Sequence, residues 1–216
     1  MSPYTQVALS ASMVKAILNG HKTQIRVPCA TDHKDTLNNC FKSLPSHQGN
    51  ILWVTEDFKV IFDYKCNDYL VIYRAGGPAK RINAINTDNP SSLFKHAHNS
   101  STKWINSNHM PYAACRLWLE ITDIRTEQLQ DITEDDARAE GMHWTYQPAV
   151  FSIPQYDSEK GSYLASYQSF WNKKYGNWDL NPKVQVYHFR ILRVSSELEP
   201  LLQKVNELKT IPFTTN

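Results

Sequence analysis

Histidine and cysteine are the usual materials of a metal centre or a thiol nucleophile, and this chain of 216 residues carries eight and four of them. Cys29, Cys40, Cys66 and Cys115 form no CxxC pair and no secreted-scaffold spacing, which predicts free thiols in a reducing compartment. His96-Ala97-His98 is the closest histidine pair, but no HExxH helix or cysteine partner accompanies it and its surroundings are rich in Asn and Ser. Neither a metal nor a cofactor is expected. Carboxylates concentrate at Asp131, Glu134, Asp135 and Asp136, the composition of a helix start that complements the helix dipole. Six Trp, eleven Tyr and eight Phe supply a core for the most part, though the same side chains stack on bases.

Charge narrows the partners. The formal net charge is +2, and the densest basic runs are only Lys80-Arg81 and Lys173-Lys174. A protein that grips a long duplex by its phosphates shows a larger excess, so extensive duplex DNA binding is not expected. A small ligand or a short single strand fits better. There is no signal-peptide core and no apolar run near the length of a membrane span, which predicts a cytoplasmic protein with no membrane partner.

The elements that must position any site read as a mixture of strands and helices. A strand at Gln6-Val7-Ala8-Leu9 runs into a helix beginning at Ser10 or Ser12, with Met13, Ile17 and Leu18 at helical spacing and Asn19-Gly20 as its stop. Strands are predicted at 23–27, 51–55, 69–74, 115–125 and 184–192, each rich in β-branched or aromatic residues. Helices are predicted at 133–141, at 162–174 and at 197–208. Loop chemistry fills 75–108 and 143–160, and both loops are expected to border the pocket. Pattern alone thus predicts an α+β fold: a small mixed sheet or barrel of five or six strands decorated by helices.

Several blocks in this order resemble a known family. The stretch from Met13 to Gln24 ends in Asn19-Gly20-His21-Lys22-Thr23-Gln24, and Gly49-Asn50-Ile51-Leu52-Trp53-Val54-Thr55-Glu56 follows. Asn108-His109-Met110-Pro111 leads into the long strand. Leu129 to Gly141, then Phe170-Trp171-Asn172, Trp178, Asn181-Pro182 and the strand through Phe189 complete the set. Over residues 4 to 193 the chain resembles the ASCH domain proteins, particularly the longer members found in phages and prophages. The resemblance implies a PUA-like mixed β-barrel with peripheral helices spanning residues 1–193, and leaves 194–216 as a C-terminal helical appendage.

Some small members of that family are amidohydrolases that release the acyl group from N4-acetylcytidine. Their site is attributed to a Lys and a Thr in a Gly-x-Lys-Thr-x-Thr block and to a Glu after the long strand. The matching positions here are Lys22 and Glu140. Ile25 stands where the second Thr would be, and Thr23 keeps the first. The resemblance therefore implies Lys22, Glu140 and Thr23 as catalytic candidates, meeting across a concave pocket within hydrogen-bond reach. Arg26, Trp53, Glu56 and His109 are candidates for substrate contact. Arg26 would touch a phosphate or base edge or pair with an acid, Trp53 would line the pocket or the core, and His109 would serve the pocket or a turn. Two functions follow as expectations: hydrolysis of N4-acylated cytosine nucleosides, or non-catalytic binding of a modified base or short RNA in the same pocket.

Overall fold

A computed structural model describes residues 4–29, 44–45, 47–83, 97, 103–143 and 162–192. Its strands are β1 Tyr4–Ala8, β2 Gln24–Pro28, β3 Ile51–Thr55, β4 Phe58–Asp63, β5 Asp68–Tyr73, β6 Lys80–Asn83, β7 Leu117–Gln128 and β8 Lys183–Ile191. Its helices are α1 Ala11–Leu18, α2 Glu134–Ala139 and α3 Tyr163–Tyr175. The mixed α+β class read from the pattern is the class observed. Five strands hydrogen-bond in the order β1-β3-β7-β8-β2, and β4-β5-β6 form a separate antiparallel meander. No helix among the described residues is long and apolar enough to cross a membrane.

The chain divides into two compact units. The first holds residues 1–11, 49–120 and 190–216; the second holds 12–48 and 121–189. In the first, β1 runs parallel to β3 with Tyr4 opposite Ile51, and β3 pairs antiparallel with the start of β7. The meander of that unit follows a strict two-residue period. Phe58, Val60, Tyr69, Val71, Tyr73 and Ile82 are buried together, while Lys59, Ile61 and Arg81 alternate outward. Asn67 takes a positive φ of 54° in the β4–β5 turn, where the Lys65 N–H donates to the Asp63 carboxylate at 3.1 Å.

Two strands were not anticipated from the sequence. β4 alternates cleanly yet is short and polar on one side, and β6 lies within the stretch read as loop. Of the four β6 residues only Ile82 is buried, so its strand state comes from pairing with β5 and not from composition. Ile105, deeper in the same stretch, exchanges two backbone hydrogen bonds with Phe58 at 2.8 and 3.1 Å. The expected loop 143–160, past its first residue, and the expected helix after 194 lie outside the described residues.

The second unit is organised by caps. α1 buries Val14 and Ile17 and stops at Gly20, whose φ is 74°. The amides of His21 and Lys22 both donate back to the Ala16 carbonyl, at 2.9 and 3.1 Å, which fixes how Lys22 leaves the helix. β2 then pairs antiparallel with β8, Gln24 opposite His188. Thr133 caps α2 by accepting from the Asp136 N–H at 3.1 Å, and the Asp136 carboxylate accepts from the Thr133 N–H at 3.2 Å. Glu134, the first residue of α2, accepts from the amides of Tyr163 and Leu164 at 2.9 and 3.3 Å and from the Ser162 hydroxyl. One carboxylate thereby satisfies two of the orphan donors at the start of α3, and the Ser162 hydroxyl accepts from the Ala165 amide at 3.1 Å. The core below collects Leu129, Ile132, Ala137, Tyr167, Trp171, Trp178, Val184 and Val186.

Because the α2 cap is a reciprocal pair, Thr133→Ala should cost about 1 kcal/mol of stability. A drop in the thermal midpoint with unchanged far-ultraviolet circular dichroism would show it. An unchanged midpoint would mean that water replaces the cap at no cost.

Candidate functional site

A β-strand ordinarily places polar side chains on the solvent side, yet Lys22, Gln24 and Arg26, spaced two apart on and before β2, are all buried. Their burial is balanced by acids from other elements of the second unit. The Lys22 ammonium donates to the Glu140 carboxylate at 2.8 Å and to the Glu140 carbonyl at 2.8 Å. Arg26 donates to the other Glu140 oxygen at 3.2 Å, to Glu127 at 2.7 and 3.0 Å, and lies 3.3 Å from Asp136. Arg125 reaches the second Glu127 oxygen at 2.8 Å and Asp136 at 2.9 Å. Three cations meet three carboxylates in a closed network. Its centre is dry: the side chains of Lys22, Arg26 and Glu140 are 1%, 0% and 2% exposed.

Local geometry explains why the pair forms. Glu140 follows α2 directly, and Gly141 turns the chain with φ 81°. A side chain at Gly141 would press on the Cβ atoms of Lys22 at 3.0 Å and Ala16 at 3.1 Å, so only glycine allows this approach. The Thr23 N–H donates to the Ala139 carbonyl at 2.9 Å beside an isolated bridge between Lys22 and Glu140. Backbone pairing aligns the two residues whose charges meet.

The surrounding titrations follow from the same arrangement. Partial burial pushes the Asp136 carboxyl up. Hydrogen bonds from the Thr133 amide and hydroxyl, the Arg26 charge and the Gln24 amide outweigh that and hold it well below the usual carboxylate range. Burial, helped by the Glu140 charge, pushes the Tyr167 phenol well up and keeps it neutral. His188 Nε2 accepts from Arg125, which can only donate. Burial and then the Arg125 charge lower its pKa and keep the imidazole neutral.

Beside the network lies a groove of about 380 Å³. His21 and Thr23, Asp135 and Arg138 of α2, His143 and Tyr163 are among the residues that line it. Of the three residues implied as catalytic, Thr23 is exposed and lines this groove. Lys22 and Glu140 lie within hydrogen-bond reach, but inside the fold and not across the groove: neither lines it. Thr23 and Ala139, joined by a backbone hydrogen bond, both line the groove. Arg26 spends its guanidinium on Glu127, Asp136 and Glu140.

Trp53, Glu56 and His109 belong to the first unit. Glu56 is buried and accepts from Arg116 at 2.8 and 3.0 Å and from the Ala75 amide at 3.3 Å, while Arg116 also lies over the Tyr73 ring. Trp53 is half-buried against Tyr112, their ring centres 5.6 Å apart. His109 is exposed and ends a single 3-10 turn, Ser107–His109.

Gln24, Arg125, Glu127, Tyr167 and His188 were not singled out from the sequence as site residues, and Asp136 was read only as part of a helix start. A signal existed: Lys22-Gln24-Arg26 and Asp123-Arg125-Glu127 each place polar groups at every second position of a strand. Gln24 has a further peculiarity. Its amide nitrogen donates to the Asp136 carbonyl at 2.9 Å and lies 3.3 Å from the Asp136 carboxylate, while its carbonyl oxygen is buried with no partner among the described residues. Among the described residues no group of three or more His, Cys, Asp or Glu side chains is arranged to hold a metal ion.

No family model, no curated protein and no solved structure matches this chain. The case for function therefore rests on the geometry and on the sequence resemblance.

Two outcomes test the network. Lys22→Met should destabilise by about 3–5 kcal/mol, because it strands the Glu140 charge, and Lys22→Met with Glu140→Leu should recover much of the loss. Denaturant titration of the single and double variants reads the coupling directly. The second outcome concerns acid. A carboxyl with a depressed folded pKa contributes stability above its unfolded value, near 3.9, and loses it as pH falls towards the folded value. Unfolding free energy should therefore fall below about pH 4, and less steeply in Asp136→Asn. Parallel slopes for the two proteins would overturn the assignment.

Proposed function

We propose that the chain is an ASCH-type protein with a PUA-like barrel that hydrolyses the amide bond of N4-acylated cytosine nucleosides. The five-stranded order β1-β3-β7-β8-β2 with its peripheral helices is compatible with such a barrel. The observation that carries the reading is the 2.8 Å contact between Lys22 and Glu140, residues 118 positions apart that the resemblance singled out together. Lys22 has three N–H donors and gives two of them to Glu140. Among the described residues the third has no partner, and it is the group that would polarise an acyl carbonyl.

Hydrolysis proceeds without a change of oxidation state. Water adds to the acyl carbon, and its proton passes to the Glu140 carboxylate. Lys22 protonates N4 as the carbon–nitrogen bond breaks, giving the free 4-amino group and a carboxylic acid. Proton return from Glu140 to Lys22 across 2.8 Å resets the pair. Ile25 leaves no hydroxyl for a covalent intermediate at its position, which is why water is the nucleophile here.

A second reading has its own support. Both heads are almost fully buried and Glu140 is neutralised by two cations, an arrangement that suits a rigid support for a binding pocket as well as an acid–base pair. In that reading the protein holds a modified base or short RNA without turning it over.

Incubation with N4-acetylcytidine, followed by ultraviolet absorbance as cytidine forms, separates the two. Turnover that falls on the order of a hundredfold or more in Lys22→Ala, and rises in Ile25→Thr, is the expected result. Unchanged turnover in a folded Lys22→Ala protein would remove Lys22 from the chemistry. Binding without turnover in the wild type would favour the second reading.

A further inference from the structure

The groove beside the Lys22–Glu140 pair carries side chains that the hydrolysis does not use. Asp135 and Arg138 stand three residues apart on α2, so they share one side of the helix, and both line the groove. Opposite charges at that spacing commonly pair. Here, among the described residues, neither makes an ion pair and both are exposed. Two imidazoles, His21 and His143, line the same groove, and a neutral imidazole still offers one N–H. The charges beneath are already matched, three cations to three carboxylates, so these lining groups are what an incoming ligand meets.

Each lining group suits a different part of one molecule. A guanidinium matches the oxygens of a phosphate through two parallel N–H donors, and imidazole N–H groups complete its shell. A carboxylate accepts only, and would repel that phosphate, but it pairs well with the hydroxyls of a sugar. A groove holding both, one helical turn apart, is matched to a ligand with a phosphate at one end of its ribose and hydroxyls at the other. We infer that the groove takes a ribonucleoside 5′-phosphate, Arg138 holding the phosphate and Asp135 the ribose hydroxyls. The assignment rests on the proposed cytosine-nucleoside pocket and extends it: the preferred substrate is the nucleotide, not the free nucleoside.

Calorimetric titration of the full chain with cytidine 5′-monophosphate, cytidine and the deoxy monophosphate tests this. The monophosphate should bind about tenfold to a hundredfold more tightly than cytidine, the range for one charge-assisted contact, and inorganic phosphate should compete. Arg138→Ala should bring the monophosphate down to the affinity of cytidine, with Arg138→Lys between. Asp135→Ala should narrow the preference for ribose over deoxyribose. Equal affinity for monophosphate and cytidine, no binding of either, or an Arg138→Ala protein that keeps the preference would overturn the inference. Tighter monophosphate binding in Asp135→Ala with unchanged sugar preference would overturn the ribose assignment. The hydrolase reading stands or falls separately. Turnover of N4-acetylcytidine without a phosphate preference sinks only the nucleotide claim. A phosphate preference without turnover sinks only the hydrolase.

Discussion

An ionised carboxylate moved out of water costs several kcal/mol unless cations and hydrogen bonds replace the lost hydration. Glu140 is in that position, and its two oxygens are met by Lys22 and Arg26. Both cations come from one short segment, and each is itself dry. None of the three can be removed singly without leaving an uncompensated charge. The strand β2, the end of α2 and the far part of β7 are therefore held in one register by charge as well as by backbone pairing.

The acids of α2 carry this constraint outward. Asp136 closes the capping box with Thr133 and at the same time accepts from Arg125 and lies against Arg26. Glu134, two residues earlier, supplies the start of α3. A six-residue helix has little stability of its own. Here two of its three acids, Glu134 and Asp136, are committed to other elements, and that commitment helps to keep it in place.

This division of labour bears on function. Committed groups such as Arg26, Glu127 and Asp136 set geometry and tolerate little change. Under the proposed function, the groove side chains with no partner among the described residues, Thr23, Asp135 and Arg138, are where ligands would be told apart. Lys22 stands between the two sets: locked by Glu140 on two donors, with a third that has no partner among the described residues.

Much of the element map was legible in the residues. The helix stop at Gly20, the capping box at Thr133, the Gly141 stop and the strand near 117–128 follow from local chemistry: backbone freedom, cap hydrogen bonds and side-chain period. Resemblance, not pattern, paired Lys22 with Glu140. β6 was illegible because three of its four residues are not buried, and only its partner strand makes it a strand. Equally hidden was the depth of Lys22, Gln24 and Arg26. Three polar residues in a row of alternate positions ordinarily describe a wet strand face. What buried them is the arrival of Glu127, Asp136 and Glu140 from more than 100 residues away, and no local pattern carries that information. Sequence set where the chain turns and caps; tertiary structure alone decided which charges lose water, because desolvation depends on everything packed around a group and not on its neighbours along the chain.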